Sequence, residues 1–410
     1  MPTHASRSRV VVTHALRTPI GRFLGAFRDA SAADLGTAVV RGLLERAGLD
    51  PEHVDETLFG NARQAGGGPN VARQISVRAG IPDRVPATTI NMACGSGLKS
   101  ILLAADSIRL GRSRVVVAGG TESMSGLPFF LPRMRSGYRL GHAKVIDGMY
   151  QDGFQCPLAE MVMGETAERL ARELAIPREE QDAFALESQR KCKAAVDAGR
   201  FDDEIVPVDV PGPKKETTTV SADEHPRPGT TLEALAKLPP VFDAEHGSVT
   251  AGNSSGITDG ASALLLMHAK TAESLGLEPL ARVGSSRQVG VDPRIMGIGP
   301  VPAVRALEEA NGVALADYDL IELNEAFAAQ VLACDRELGL PAERLNVNGG
   351  AIALGHPIGA TGARIVVTLL HELRRRSGSR GLATLCVSGG MGLAAAFHRG
   401  APAGSEDWVS

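Results

Sequence analysis

The chain has 410 residues, and its 43% hydrophobic and 22% charged residues are typical of a globular protein with a large core. A net charge of −4, with no basic run longer than Arg374–Arg376, excludes the electrostatic footprint of a nucleic-acid-binding protein. No run of about 18 apolar residues predicts a membrane span, and the first residues lack a signal-peptide core. From the length alone we expect two or three domains.

The cysteines are scattered along the chain and predict neither a zinc site nor a disulfide framework. They are Cys94, Cys156, Cys192, Cys334 and Cys386. None forms a C-x-x-C pair, and none has zinc-ligand spacing to a histidine. An odd number of dispersed thiols is typical of a reducing compartment, so we expect a cytoplasmic protein without a bound metal.

The first third of the chain alternates predicted strands and helices. Strands are predicted at 9–13, 54–59, 87–92 and 114–118, and helices at 31–47, 70–79 and 95–110. The first helix has Gly48 as its stop signal, and the last strand is predicted to end at Gly119 and Gly120. The helix from Gly95 is apolar around most of its surface, so we expect it to be buried.

The last third of the chain repeats this order. It has a predicted helix at 302–310, strands at 320–323 and 345–348, a helix that ends at Leu373, and a strand at 382–387. This self-similarity indicates an internal duplication, and the alternation predicts an α/β fold with largely parallel sheets. The duplication puts the turn of Cys94 and the turn of His356 at equivalent positions, where we expect two helix starts to meet.

A different kind of segment separates the two thirds. Residues 125–246 include proline- and charge-rich pieces and two predicted amphipathic helices, at 164–174 and 177–198. Long insertions in compact folds are commonly functional, so we interpret this one as a lid-like domain. The predicted domains are therefore an N-terminal half of residues 1–124 and 247–275, an inserted loop domain of residues 125–246, and a C-terminal half of residues 276–410.

Three side chains next to glycine turns suggest covalent and proton-transfer chemistry. Cys94 lies in INMACGSGLKS before a predicted helix, whose N-terminus would lower the pKa of the thiol. His356 lies in ALGHPIGATGAR, and Cys386 lies at the end of a strand in LCVSGGMG. The alternative is that both cysteines are inert core residues and both turns are structural.

Two further segments have alternative interpretations. Asn324, in LIELNEAFAAQ, could cap a helix or hold a water molecule for an oxyanion. Residues 252–256 read GNSSG and match the nucleophile elbow of serine hydrolases, with Ser254 at the centre and Asp259 and His356 as possible partners. The run that follows, DGASALLLM, lacks the strand–turn–helix context that such an elbow needs.

Together these segments resemble the thiolase family, which includes acetyl-CoA C-acetyltransferases and 3-ketoacyl-CoA thiolases. The matching motifs are RTPIGRFLGAF, NMACGSGLKS, VVVAGGTESMS, TAGNSSGITDGASALLLM, NEAFAAQ, NVNGGAIALGHPIGATGAR and CVSGGMG, in this order between residues 17 and 392. The resemblance implies two duplicated α/β halves that form a layered α-β-α-β-α core, plus an inserted loop domain. It implies condensation of two acyl-CoA molecules, most simply acetyl-CoA, and thiolysis of 3-ketoacyl-CoA, with no cofactor besides coenzyme A as substrate and product.

The resemblance also implies a role for each motif residue. Cys94 would be the acylated nucleophile, His356 its activator, and Cys386 the acid or base for the α-proton. Asn324 would hold a water molecule that forms one oxyanion hole with His356. The backbone N–H groups of Cys94 and Ser388 would line a second hole.

For coenzyme A and the acyl group, the resemblance implies contacts from Arg227, Ser255, Met163 and Met296. The sequence departs from the family pattern at Ser388, where many members have glycine, and at Val162, where short-chain members often have histidine. A longer-chain degradative thiolase is therefore one alternative. A catalytically silent acyl- or sterol-carrier relative and a serine hydrolase at Ser254 are two others.

The resemblance extends to assembly. Residues 125–142 resemble the tetramerisation loop of many thiolases, and they carry Phe, Leu and Met side chains between prolines. The resemblance therefore implies a homotetramer built as a dimer of dimers.

Overall fold

The structure is a computed structural model that describes residues 9–211 and 216–400. Its strands are β1 Val10–Arg17, β2 Gly21–Arg22, β3 Glu56–Gly60, β4 Ala87–Ile90, β5 Val115–Glu122, β6 Phe129–Phe130, β7 Ile146–Asp147, β8 Gln155–Cys156, β9 Met161–Val162, β10 Val208–Pro211, β11 Thr217–Val220, β12 Thr258–His268, β13 Ala281–Gly290, β14 Leu320–Leu323, β15 Arg380–Val387 and β16 Met391–His398. Its α-helices are α1 Ala32–Ala47, α2 Val71–Arg78, α3 Ser96–Arg109, α4 Met163–Glu173, α5 Arg178–Asp197, α6 Leu232–Ala236, α7 Ala269–Ser274, α8 Pro300–Asn311, α9 Ala328–Leu338, α10 Ala351–Leu354 and α11 Ile358–Arg375.

The internal duplication is visible in the order of the strands. The main sheet runs β4-β3-β5-β12-β1-β13-β16-β15-β14. Outward from the central pair, the first half reads β1, β12, β5, β3, β4 and the second reads β13, β16, β15, β14. An isolated bridge between Ile321 and Leu345 stands where β4 stands in the first half. Each half therefore has the same strand order.

The prediction of largely parallel sheets was wrong for the centre of the sheet. Only the outer pairs are parallel, namely β3 with β4, β3 with β5, and β14 with β15. The pairs of β1 with β12, β1 with β13, β12 with β5, β13 with β16 and β15 with β16 are antiparallel. The prediction missed β12, β13 and β16. Strand β12 is buried along almost its whole length, and no helix separates β15 from β16.

Alternating burial in the strands produces the layers. In β5, Val116 and Ala118 face the central core, whereas Val115 and Val117 face the outer helices α1 and α2. Strand β16 alternates in the same way between the central core and a second outer layer that contains α8. Because both faces of these strands are covered, their residues are mostly small or apolar. The predicted α-β-α-β-α layering is therefore confirmed.

The middle layer consists of α3 and α11, which pack directly against each other. A Cβ at Gly97 would lie 2.7 Å from the amide nitrogen of Ala363, and one at Gly362 would lie 2.4 Å from that of Leu98. Only glycine allows this approach of the two backbones. The sequences that precede these two helices contain Cys94 and His356, so the glycine contact sets how close the two turns come.

Two predicted strand boundaries need correction. The strand predicted to end at Gly119 continues as β5 to Glu122. Its glycines serve close packing rather than a turn, since Cβ atoms at Gly119 and Gly120 would each lie 2.1 Å from a carbonyl oxygen. The strand predicted at 345–348 is only the bridge at Leu345, because Asn346 has a positive φ of 43° and the chain turns there.

Residues 125–246 contribute α4, α5, α6 and three small two-stranded sheets. Two acidic residues of this segment bind the buried Arg17 of β1. Glu204 accepts a hydrogen bond from Nε of Arg17 at 2.6 Å, and Asp223 accepts one from Nη1 at 2.7 Å. A buried, multiply bonded guanidinium is costly to separate from its partners. The segment is therefore firmly attached to the central sheet.

Candidate active site

The turn that carries Cys94 is strained and braced. Ala93 has a φ of 45°, a conformation that costs an L-residue roughly 1–3 kcal/mol. Its amide donates to the side chain of Asn91 at 3.0 Å, and its carbonyl accepts from the Ser96 hydroxyl at 2.7 Å. The same hydroxyl accepts from the amide of Met92 at 2.9 Å. These bonds hold the Cys94 side chain just before α3.

The turn that carries His356 meets this thiol. Gly355 has a φ of 102°, and the amide of His356 donates to the carbonyl of Gly256 at 3.1 Å. Nε2 of His356 lies 3.4 Å from Sγ of Cys94. The two turns come from opposite halves of the duplication, and the expectation that they meet is confirmed by this distance.

Thr361 determines which nitrogen of His356 carries the proton. The Thr361 hydroxyl donates to the carbonyl of Pro357 at 3.0 Å. Its oxygen lies 2.6 Å from Nδ1 of His356, so it accepts the Nδ1 proton. A neutral imidazole carries one proton, which leaves the Nε2 lone pair facing the Cys94 thiol. The histidine is therefore oriented to accept the proton of Cys94.

Burial sets the resting charge of the pair. It lowers the pKa of His356 to about 3, with the charges of Arg364 and Arg63 adding to the effect. Burial also raises the pKa of the Cys94 thiol, against the opposing influence of Arg63 and of the N–H groups of Ser388 and Cys94. The predicted lowering by the helix start is therefore outweighed by desolvation. Both side chains are neutral at rest.

Cys386 lies in a pocket with the two predicted acyl-pocket methionines. It is buried with Met296 and Ala326, and Met163 and Phe327 pack against this group. Burial raises the pKa of the Cys386 thiol well above its usual value, and the neighbouring thiol of Cys94 adds to the shift. Cys386 therefore rests as a neutral thiol, and its conjugate thiolate would be a strong base.

Asn324 is buried with an unused side chain. Both its Oδ1 and its Nδ2 lack a hydrogen-bond partner among the described residues. The equivalent residue in the other half, Asn61, donates instead to the carboxylate of Glu122 at 2.7 Å. A buried amide without partners costs free energy. Asn324 does not cap α9, which begins at Ala328 with Phe327 before it, so its amide remains free to bind a small polar group.

The GNSSG segment is not a nucleophile elbow. The Ser254 hydroxyl donates to the carbonyl of Thr250 at 2.7 Å, and the segment leads into strand β12 rather than a helix. His356 faces Cys94 instead. The serine hydrolase interpretation was therefore wrong. The chain after Ser254 forms β12, which pairs with β1 on one side and with β5 on the other.

The same segment connects the predicted coenzyme A residues with the cysteines. Gly252 lines a cavity of 330 Å³ together with Arg227. The amide of Ser255 donates to the carbonyl of Ala326, which packs on Cys386. The segment from Gly252 to Ser255 therefore connects the Arg227 cavity with the residues that pack on Cys386.

Ser388 lies at another cavity of the site. This cavity of 760 Å³ is also lined by Asn91, Gly153 and Gly389. The half-buried Ser388 side chain forms part of its wall. The side chain of Ser388, where the family pattern usually has glycine, is therefore accommodated at the edge of this cavity.

Sequence reasoning missed three residues of this site. Thr361 orients His356, and Glu122 accepts the amide of Gly359 at 2.8 Å at the start of α11. Arg63 follows the end of β3, and its charge lowers the pKa of both Cys94 and His356. Asn61 follows β3 as Asn324 follows the equivalent strand β14, and this repeat of the duplication was a usable signal that the end of β3 is part of the site.

In residues 9–211 and 216–400, no helix is long and apolar enough to cross a membrane. The same ranges contain no group of three or more His, Cys, Asp or Glu side chains that could hold a metal ion.

Comparison with known proteins gives matches over nearly the whole chain. The model of the thiolase N-terminal domain matches residues 10–270, and that of the thiolase C-terminal domain matches residues 277–399. The acetyl-CoA acetyltransferase of Pseudomonas aeruginosa is 54% identical over 390 residues, which cover 95% of this chain and 99% of that protein. The acetyl-CoA acetyltransferase of Escherichia coli is 51% identical over 390 residues, which cover 95% of this chain and 98% of that protein.

Solved structures agree with these matches. The crystal structure of the Bacillus anthracis acetyl-CoA acetyltransferase has a TM-score of 0.93 and 46% identity, covering 95% of this chain and 98% of that one. The crystal structure of the human mitochondrial 3-ketoacyl-CoA thiolase in complex with CoA has a TM-score of 0.92 and 43% identity, covering 97% of this chain and 99% of that one. The chain therefore belongs to the thiolase family of acyltransferases.

Proposed function

We propose that the chain condenses two acetyl-CoA molecules to acetoacetyl-CoA and CoA, and catalyses the reverse thiolysis of 3-ketoacyl-CoA. The observation that carries this proposal is the Cys94–His356 contact of 3.4 Å, with the thiol of Cys386 in the same site. One thiol can hold an acyl group while the second moves a proton, which is what a Claisen condensation requires. Relatives at about half identity that are named acetyl-CoA acetyltransferases support acetyl-CoA as the substrate.

In the first half-reaction, the Cys94 sulfur attacks the thioester carbonyl of an acyl-CoA. His356 accepts the thiol proton at Nε2 and passes it to the sulfur of the departing CoA. The bond from carbon to the CoA sulfur breaks as the bond to Cys94 forms. The backbone N–H groups of Cys94 and Ser388 stabilise the charge on the acyl oxygen, since both already favour the Cys94 thiolate.

In the second half-reaction, the Cys386 thiol first gives its proton to the neutral His356, and the resulting thiolate removes an α-proton from a second acyl-CoA. The carbanion attacks the acyl-cysteine carbonyl, so a carbon–carbon bond forms, the bond to Cys94 breaks, and His356 returns the proton to the Cys94 sulfur. A water molecule held by Asn324, together with His356, would bind the enolate oxygen. The unused amide of Asn324 supports this role. In thiolysis the same steps run backwards, and the protonated Cys386 donates.

We assign the adenine side of coenzyme A to the Arg227 cavity and the pantetheine to the segment of Ser255. Their connection to Cys386 through Ala326 supports this route. Met163 and Met296 then lie beside the acyl group. We also propose three domains, which are an N-terminal half of residues 1–124 and 247–275, an inserted loop domain of residues 125–246, and a C-terminal half of residues 276–410. We further propose a cytoplasmic location.

The purified chain is expected to cleave acetoacetyl-CoA with CoA and to form two acetyl-CoA molecules. Thiolysis should be measured with 3-ketoacyl-CoA substrates whose acyl groups range from about four to about sixteen carbons, so that short and long chains are compared. A preference for the shortest substrate supports the proposal. A maximum at a longer chain would identify a degradative 3-ketoacyl-CoA thiolase, for which the 760 Å³ cavity beside Ser388 leaves room. No thiolysis of any substrate would favour a silent carrier relative.

The chain is also expected to form a tetramer. The segment of residues 125–142 exposes large apolar side chains, with Phe129 and Met134 each 65% and Leu140 98% exposed. Apolar side chains exposed on one segment are typical of an association surface. Light scattering should give about four times the chain mass of 42.8 kDa. A mass equal to that of one chain would contradict the assembly.

A further inference from the structure

Arg63 is a buried cation to which the mechanism above gives no role. Its side chain belongs to the loop that follows β3, and the residue is only 8% exposed. Nη2 donates to the carbonyl of Gly153 at 3.1 Å, whereas Nε has no partner among the described residues. Within residues 9–211 and 216–400 it forms no ion pair closer than 4.0 Å. A buried charge without a counter-charge is costly, so something must balance it.

The nearby carboxylate of Glu122 offsets this charge only in part. Four N–H groups already bind it, from the side chain of Asn61 and the amides of Ala62, Arg63 and Gly359. Burial raises the pKa of Glu122 to about 7, against the opposing charge of Arg63. Glu122 therefore is saturated by other donors and does not contact the guanidinium directly.

The loop of Arg63 is connected to the turn of Cys94. The side chain of Asn91 donates to the carbonyl of Ala62 at 3.0 Å and accepts from the amide of Ala93. Gly153, which holds the guanidinium, lines the same cavity as Asn91 and Ser388. Arg63 is thus held at its guanidinium by Gly153, and its loop is held by Asn91 next to the turn of Cys94.

We propose that the guanidinium of Arg63 supplies a fixed positive charge that stabilises negative charge at Cys94. That charge is first the thiolate and then, during acyl transfer, the oxygen of the acyl group that Cys94 carries. The second part rests on the proposed function, whereas the first part concerns the thiol alone. Within residues 9–211 and 216–400, Arg63 forms no hydrogen bond with the Cys94 thiol, and it acts through the electrostatic potential at the sulfur.

The sign of the effect follows from the groups around the thiol. Arg63 lowers the pKa of Cys94, whereas Glu122 and burial raise it. The thiol of Cys386 shares the site, and His356 is held neutral. Arg63 also lowers the pKa of His356, so the same charge disfavours an imidazolium. The proton that leaves Cys94 is therefore passed on rather than kept on the histidine.

Alkylation of Cys94 by iodoacetamide as a function of pH tests the proposal. The neutral variants Arg63→Gln and Arg63→Met are expected to shift the midpoint of the rate upward by about one unit, because a neighbouring positive charge favours the thiolate and lowers a thiol pKa by about that much or more. At pH 7 this makes alkylation about tenfold slower. Arg63→Lys keeps the charge and should restore most of the rate. Mass spectrometry of the labelled peptide confines the measurement to Cys94.

Arg112→Met provides the matched control, because Arg112 is exposed and lies beyond the C-terminal end of α3, whereas Cys94 precedes the N-terminal end of that helix. It should not move the midpoint. Thermal unfolding identifies any Arg63 variant that does not fold, and glutamine retains an N–H donor for Gly153. Midpoints equal to the wild type in both neutral variants would overturn the proposal, as would a lysine variant that behaves like methionine. The measurement needs no acyl-CoA, so a shifted midpoint without thiolysis would reject the proposed function alone.

Discussion

Cys94→Ser is expected to abolish formation of the acyl-enzyme. A serine hydroxyl has no comparable anion population at neutral pH, so His356 cannot generate an effective nucleophile from it. Mass spectrometry of the wild-type chain after mixing with acetyl-CoA should show one acetyl group on the peptide that contains Cys94. The variant should show none, and both condensation and thiolysis should disappear with it.

Ser254→Ala is the matched comparison for this loss, because Ser254 is the nucleophile of the rejected hydrolase interpretation. This variant should still acquire the acetyl group on Cys94. Acetyl on Ser254 in the wild type, or undiminished acetylation of the Cys94→Ser variant, would place the nucleophile elsewhere. The hydroxyl of Ser254 is already occupied by the carbonyl of Thr250, which argues for the expected result.

Cys386→Ala is expected to separate the two half-reactions. Acylation of Cys94 needs only His356 and hydrogen-bond donors, so the variant should accept an acetyl group at a rate close to the wild type. Removal of the α-proton needs a second base, and its loss should lower condensation and thiolysis by about 10²–10⁴-fold. Single-turnover acetylation and steady-state condensation are the two measurements.

Cys334→Ala is the control for the loss of a buried thiol near the same pocket. Cys334 lies on α9, donates to the carbonyl of Gly297 at 3.4 Å, and influences the pKa of Cys386. Its removal should leave condensation within a few fold of the wild type. Near-normal condensation by Cys386→Ala would show instead that Cys386 is a core residue. The α-proton would then need another base.

Helix boundaries were predictable because their signals are local, and the duplication was predictable because the two halves repeat the same order of elements. The capping box of Ser31 and the left-handed Gly48, with a φ of 59°, bound α1 as the sequence indicates. Strand β14 has the predicted bounds of 320 to 323. The chain order of equivalent elements then sufficed to predict that the turns of Cys94 and His356 meet.

The pairing of the central strands was not predictable in the same way. Continuous apolar runs such as β12 do not reveal their partners, since both faces are buried and no alternation remains. The charge state of Cys94 was also misjudged, because a helix start is visible in sequence whereas the extent of burial is not. Arg63 and Thr361 act through contacts across the fold, which no spacing along the chain encodes.

The glycine contact between α3 and α11 has a consequence for motion. Gly97 and Gly362 bring the two backbones together in the middle layer, between the two halves of the sheet. Local openings of a protein begin where few buried contacts hold a segment, and this layer is the opposite case. Cys94 and His356 each lie just before one of these helices, so we expect their distance to be insensitive to openings of surface segments. The Cys94–His356 contact is therefore expected to belong to the part of the fold that opens last.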